Sequence, residues 1–350
     1  MNTVHVKASR EYDVLIGSNL LSTRGSHASA MKKVKKACIV SESNVWPLYG
    51  ELAKKSLQDA GLETIEFVFP AGEESKNGQT YLSLVNFLAE NQMTRSDLLV
   101  ALGGGVVGDL TGFAAATFLR GIAFIQIPTT LLAAVDSSVG GKTAIDFPAG
   151  KNLCGAFYQP SLVLCDTDTL NTLPESVFKD GCAEVIKYGI LYDPELFAHL
   201  AEHGLDFDRQ MVITRCVELK RNVVAEDEFD TGTRMKLNLG HTIGHGIEAQ
   251  SHFAISHGTA VAMGTAIVTR AACSLGICTA DTEKAVLDIL TKFGLPVSCD
   301  CTAETLYRYS LSDKKRSGGT VSLIIPERIG HCRIAPTPVT EIQSFIEAGL

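Results

Sequence analysis

At 350 residues the chain is too long for one small core and predicts two domains. Hydrophobic residues at 45%, charged residues at 20% and 31 glycines describe a compact globular α/β protein. The formal charge of −8 argues against general affinity for nucleic acid.

In chain order, Thr3–Val6 and Tyr12–Ile16 read as short β-like pieces, and Met1-Asn-Thr-Val-His-Val6 lacks the apolar stretch of a signal peptide. The single basic cluster, Lys32-Lys33-Val-Lys35-Lys36, is a solvated lead-in to a strand at Ala37–Val40. A helix over Val45–Ala60, a strand over Glu63–Phe69, a helix over Thr80–Asn91 and an apolar strand over Asp97–Leu102 follow. Alternation of helices with strands that are apolar throughout predicts a parallel sheet covered on both faces, hence a doubly wound, nucleotide-binding type of domain. The apolar region from Leu98 to Val135 is interrupted by Asp109 and Arg120, so it falls short of the roughly 18 uninterrupted residues of a membrane span.

Strand 97–102 runs into Gly103-Gly104-Gly105-Val-Val-Gly108-Asp109 and then a helix, a place where backbone N–H groups can meet a pyrophosphate or where the chain simply packs tightly. It is not a G-x-G-x-x-G, and the acidic residue about 20 positions on is missing. Ile125–Pro128 is another strand, ending in Thr129 and Thr130 at a helix start. Gly140-Gly141-Lys142-Thr143 invites a P-loop reading, but position 136 is Asp where that motif needs Gly, so an ATPase is disfavoured. What remains is Lys142 on a flexible glycine turn, with Lys151 shortly after, two point charges able to hold a phosphate or carboxylate.

From Leu173 strands become scarce, and a boundary at residue 172 divides a first domain, 1–172, from a mainly helical second, 173–350. Helices are expected over 174–191, 193–203, 207–226, 237–250, 258–275 and 282–293, then a β-like pair at 320–325 and 332–334 and a last helix from Val339. Ten scattered cysteines, with only Cys299 and Cys301 close together, read as free thiols of a cytoplasmic protein.

Nine histidines are spread over the chain, yet His241, His245, His252 and His257 fall in one segment. Residues four apart share a helix face, so His241 and His245 can aim at a common spot, where both could ligate a divalent ion or one could hold it while the other handles protons. Two ordinary helix histidines are the alternative. Gly240, Gly244 and Gly246 beside them suggest a close approach to the backbone. Glu184 and Lys187 stand three apart on a helix face, an ordinary ion pair or, with the histidines, the oxygen ligand of a His-His-Glu zinc site with an open position.

The blocks Gly103–Asp109, Ile127–Leu131, Val135–Lys142, Gly150–Asn152, Ala183–Gly189, Asn238–His245, His257-Gly258 and Asp313–Lys315 occur in the order seen in the 3-dehydroquinate synthase family, and this resemblance covers nearly the whole chain. It implies a Rossmann-like N-terminal domain and a helical C-terminal metal-binding domain, with the active site in the cleft between them. It also implies a phosphate lyase of the shikimate pathway, in aromatic amino acid biosynthesis. Such an enzyme converts 3-deoxy-D-arabino-heptulosonate 7-phosphate to 3-dehydroquinate by transient NAD-dependent oxidation, phosphate elimination, re-reduction and aldol closure.

Carried over residue by residue, the resemblance implies Glu184, His241 and His257 as ligands of one zinc or cobalt ion, with His245 as the proton-handling neighbour. Lys142, Asn152, Lys187, Lys220, Arg234, Asn238 and Lys314 would hold the substrate's phosphate, carboxylate and hydroxyls. NAD would lie on Ala71, Gly72, Glu73, Glu74, Ser75 and Lys76; on Gly105, Val106, Val107, Gly108 and Asp109; and on Thr129, Thr130, Lys142, Lys151, Thr169, Leu170, Asn171 and Thr172. Asn44 would stand near the adenosine ribose and Asp136 near the nicotinamide. The expected partner is the small phosphorylated substrate, with neither nucleic acid nor membrane, in a homodimer. Two positions depart from the pattern: Asp230 stands where Glu is usual, and Thr259 replaces the Glu common after His257-Gly258. Rival readings are another sugar phosphate cyclase such as 2-deoxy-scyllo-inosose synthase, a metal-dependent alcohol or glycerol dehydrogenase, and a non-catalytic NAD-binding protein. Lys220, Arg234 and Asn238 favour the heptulosonate, whose carboxylate needs a partner such as Arg234.

Overall fold

A computed structural model describes residues 1–23, 27, 34–312 and 319–350. Lys314, with Lys32 and Lys33 of the basic cluster, lies outside these residues. Packing divides the chain into two compact units, Met1–Leu173 with Arg209–Phe229, and Pro174–Asp208 with Asp230–Leu350. The single boundary expected at residue 172 is therefore modified. The helix Arg209–Glu226, expected in the second half, packs in the first unit, and Lys220 goes with it.

The first unit is built on a seven-stranded sheet. Its strands are β1 (Asn2–Val6), β2 (Tyr12–Gly17), β3 (Lys36–Glu42), β4 (Glu63–Phe69), β5 (Leu98–Gly103), β6 (Ala123–Pro128) and β9 (Leu162–Asp166), in the order β1-β2-β9-β6-β5-β3-β4. Only β1, paired with β2, runs antiparallel; all other pairings are parallel. All six residues of β5 are buried, because alternate side chains enter two different cores. Leu99 and Ala101 join Cys38 and Val40 against the helices Gly78–Glu90 and Gly105–Thr117 through Leu84, Leu88, Leu110 and Ala114. Leu98, Val100 and Leu102 join Ala37 and Ile39 against Ala53 and Leu57 of the helix Glu51–Asp59. That helix was expected from Val45; its first turn, Trp46–Gly50, is instead π-helical, with Pro47 at its start.

A hairpin the sequence did not announce, β7 (Lys142–Phe147) with β8 (Gly150–Phe157), corrects the expectation of a flexible turn around Lys142. Gly140 and Gly141, at φ +95° and +70°, form the turn, and Lys142 is the first residue of a strand.

The second unit centres on the helix α5 (Glu175–Tyr192), buried continuously from Gly181 to Leu191. Around it stand the helices Pro194–His203, α8 (His241–Gln250), α9 (His257–Ser274), Ala280–Lys292, Ala303–Ser312 and Val339–Glu347. The antiparallel pair β10 (Thr320–Arg328) and β11 (His331–Pro338) matches the expected β-like pair. No helix among the described residues is long and apolar enough to cross a membrane, and all ten cysteines are free.

Lys76 ties three segments of the first unit together. Only 4% exposed, its ammonium lies 2.8 Å from Glu73, 3.3 Å from Asp109 and 3.8 Å from Asp146, and donates to Asn152 Oδ1 at 2.9 Å. Burial alone would favour the neutral amine, but Asp109, Glu73 and Asp146 more than offset it and hold Lys76 charged. Burial likewise pushes Asp109 up to about 6, against the pull of Lys76. Lys76→Met therefore strands buried carboxylates and should cost about 3–5 kcal/mol. Without the ammonium, burial makes the folded variant hold the Asp109 proton still more tightly than the native protein does, so Asp109 adds more to the variant's stability than to the native protein's as pH falls below 6. Denaturant melts should thus show a smaller deficit for the variant at about pH 5 than at about pH 8.

Candidate active site

Glu184, in the middle of α5, is 1% exposed, and its Oε2 pairs with the Lys187 ammonium one helical turn on. The other oxygen, Oε1, faces two imidazoles: His241 Nε2 and His257 Nε2 each lie 3.6 Å from it. The three donor atoms all lie within 4.8 Å of one another. Atoms bound at about 2.1 Å to a tetrahedral ion stand about 3.4 Å apart, so this donor set fits a small divalent cation and leaves a fourth position open.

Each imidazole is turned by a second contact. His241 Nδ1 lies 3.0 Å from the Leu239 carbonyl oxygen, which can only accept, so Nδ1 carries the hydrogen and Nε2 presents its lone pair. His257 Nδ1 lies 3.3 Å from Glu248 Oε2, a carboxylate 2% exposed. Burial, and after it the Lys187 ammonium, pushes His241 down to about 3, keeping it neutral. Burial pulls the same way on His257, but Glu184 and Glu248 more than offset it and raise it to about 10. Two carboxylates thus concentrate negative charge on one ring, an environment that welcomes a cation in place of that ring's proton.

The glycines around the histidines have a packing reason. A Cβ on Gly264 would sit 2.1 Å from the Gly240 carbonyl oxygen, and one on Gly240 would sit 2.3 Å from Thr265 Oγ1. A Cβ on Gly244 would meet the Ala260 carbonyl oxygen at 3.0 Å. The close approach suggested by Gly240 and Gly244 is therefore that of α9, whose backbone lies against α8. Gly240 also turns the chain into α8 at φ +77°. These contacts bring His241 and His257, the first residues of their helices, beside Glu184. His241 and His245, neighbours four apart, are not the pair that shares a carboxylate oxygen. His245 is exposed and groups instead with Glu248 and His257. Arg234, 2% exposed, and Asn238 belong to the 3-10 turn Thr233–Asn238 that leads into α8.

In the first unit, five of the segments expected to hold a nucleotide follow the C-terminal end of a parallel strand, whereas Lys142 and Lys151 lie on the antiparallel hairpin β7–β8. Asn44 follows β3, Ala71 to Lys76 follow β4, Gly105 to Asp109 follow β5, Thr129 and Thr130 follow β6, and Thr169 to Thr172 follow β9. This is the sheet edge at which open α/β folds take ligands. Thr129 N–H donates to the Gly103 carbonyl at 3.0 Å, and Tyr49 hydroxyl bridges the Thr169 carbonyl and Thr172 Oγ1 at 3.1 and 2.6 Å. Gly108 packs where a Cβ would meet Gln126 Oε1 at 2.6 Å. Lys151 lies 3.9 Å from Glu73. Asp136 sits in the turn Ala133–Ser137, 3.0 Å from the buried Lys220 ammonium, which also donates to its carbonyl at 2.5 Å.

Glu248 and Leu239 were not singled out in the sequence. Glu248 had one available signal: it lies three residues after His245, on the helix that begins at His241. Leu239 had none, since it acts through its main chain.

The 3-dehydroquinate synthase N-terminal family model matches residues 66–180 and the C-terminal model residues 181–316. A 3-dehydroquinate synthase of Enterococcus faecalis is 43% identical over 344 residues, covering 97% of this chain and 96% of that one. One from Microcystis aeruginosa is 41% identical, covering 97% of each. Among solved structures, a 2-deoxy-scyllo-inosose synthase complexed with carbaglucose-6-phosphate, NAD+ and Co2+ superposes with a TM-score of 0.89 at 26% identity over 100% of both chains. An iron-containing alcohol dehydrogenase, at TM-score 0.70 and 15% identity, covers 99% of both and shares the fold alone. Matched by both of this family's models over residues 66–316 and by 3-dehydroquinate synthases at 41–43% identity along nearly its whole length, the chain belongs to the 3-dehydroquinate synthase family.

Proposed function

We infer that this protein converts 3-deoxy-D-arabino-heptulosonate 7-phosphate to 3-dehydroquinate and phosphate, using NAD and one zinc or cobalt ion per subunit. The observation that carries the reading is the convergence of Glu184 Oε1 with the Nε2 atoms of His241 and His257. When bound, the ion would supply Lewis acidity at the substrate hydroxyl and NAD a reversible hydride acceptor.

The remaining roles belong to the chain's own side chains. Glu184, His241 and His257 hold the ion. Glu248 and the Leu239 carbonyl aim the two imidazoles. His245, exposed and beside His257, moves a proton without ligating. Arg234 offers a fork to the substrate carboxylate, while Lys142, Asn152, Lys187, Lys220, Asn238 and Lys314 hold its phosphate and hydroxyls. Lys220 carries Asp136 with it. The segments after β3, β4, β5, β6 and β9, with Lys142 and Lys151, hold NAD. A cytoplasmic homodimer completes the reading, and sedimentation would test its second half.

Purified protein given the heptulosonate phosphate, NAD and zinc should release phosphate with no net accumulation of NADH. Steady NADH formation from glycerol or simple alcohols would instead identify a dehydrogenase. A zinc-loaded protein that releases no phosphate from this substrate would point to another cyclase.

Glu184→Ala and His257→Ala should lose bound metal, whereas His245→Ala should keep it and lose about 10²–10⁴ in rate. Equal metal content in all three variants would refute the ligand assignment. Glu248→Ala should weaken zinc binding about 10-fold or more, read by competition with a chromophoric chelator.

A further inference from the structure

We propose that Asp180 is a positioning residue for the metal centre: its carboxylate fastens the first turn of α9 to α5 and so sets His257 against Glu184. The proposal rests on the reading of Glu184 and His257 as ligands of one ion. Asp180 stands one helical turn before Glu184 on α5, so the two carboxylates share a face. Asp180 Oδ1 accepts from the Thr259 N–H at 2.7 Å, the Ser256 hydroxyl at 2.5 Å and the Thr259 hydroxyl at 3.2 Å. Ser256 Oγ and Thr259 Oγ1 lie 2.9 Å apart. Ser256 and Thr259 bracket His257 and Gly258, so both hydroxyls flanking the ligand, and the Thr259 N–H, lead back to one oxygen on the helix that carries Glu184.

The main chains meet at the same point. A Cβ on Gly258 would lie 1.9 Å from the Asp180 carbonyl oxygen, so any side chain there would force the helices apart. A helix start leaves N–H groups without intrahelical partners, and Ser256, at the capping position, makes no side-chain cap bond to its own helix. Asp180 supplies the cap from a different helix, and its negative charge suits the positive end of α9. Thr259, which stands where Glu is usual, takes part in the same contacts, contributing an N–H and a hydroxyl to the Asp180 carboxylate.

An ordinary helix cap would change stability and nothing else, so the decisive readouts are the zinc dissociation constant and the visible absorption of the cobalt-substituted protein. Asp180→Ala should raise the zinc dissociation constant about 10- to 100-fold and alter the cobalt spectrum. Asp180→Asn, whose amide oxygen still accepts from the Thr259 N–H, should restore most of the affinity. The double variant Ser256→Ala with Thr259→Ala retains Asp180 and should weaken zinc about 3-fold or more, even if Asp180→Ala fails to fold. Wild-type zinc affinity and an unchanged cobalt spectrum in the folded variants, with only the melting temperature lowered, would overturn the clamp while leaving the ligand assignment intact. A wild-type protein that takes up no zinc or cobalt would overturn both.

Discussion

A carboxylate as deeply buried as Glu184 must be neutralised where it stands, and the second unit is arranged around that requirement. Lys187 takes one oxygen from within α5; the other oxygen is left to groups brought by α8 and α9. Two imidazoles facing one carboxylate oxygen make a site that a divalent ion satisfies better than protons do, since all three donors can then keep their lone pairs on the same centre. Removing any one member leaves the other charges buried and uncompensated, so binding chemistry and stability are bound together in this unit.

The histidines reach that carboxylate because their helices begin beside it, and the helices can begin there because their contact surfaces are nearly bare backbone. Gly240, Gly244, Gly258 and Gly264 each stand where a Cβ would press on a neighbouring helix. Glycine weakens an isolated helix by about 1 kcal/mol. Here that cost is offset by a main-chain approach no other residue permits, and the ligands are delivered as the first residues of rigid helices rather than from loops. The first unit shows the complementary logic: a buried parallel sheet supplies a row of strand ends, and the side chains with hydroxyl, amide and charged groups lie just beyond them.

Most elements were legible in the sequence because their periodicity was strong. The apolar run 98–102 could hardly be anything but a buried strand, and Glu63–Phe69, rich in β-branched and aromatic residues, read as a strand although it lies at the sheet edge with only Phe69 buried. The hairpin at Lys142–Phe157 was not legible: its strands alternate weakly, and the glycines before it look like a loop. The helix Arg209–Glu226 was found as a helix but could not be assigned to a unit, because buried positions such as Val212, Cys216 and Val223 show that a face is covered and not what covers it.

The site divides along the same line. The sequence alone determined which chemistry is available: imidazoles concentrated between residues 241 and 257, a carboxylate at 184 in a helix too apolar to be solvated, and glycines where side chains would be expected. Helical spacing reports only neighbours on one helix, so by itself it pairs His241 with His245. That His241 meets His257 and Glu184 instead, that Glu248 turns one ring and Leu239 the other, and that Asp180 reaches the turn carrying His257, was decided by the packing of three helices. Contacts between segments far apart along the chain have no period to betray them, and they exist only once the backbones have closed on one another.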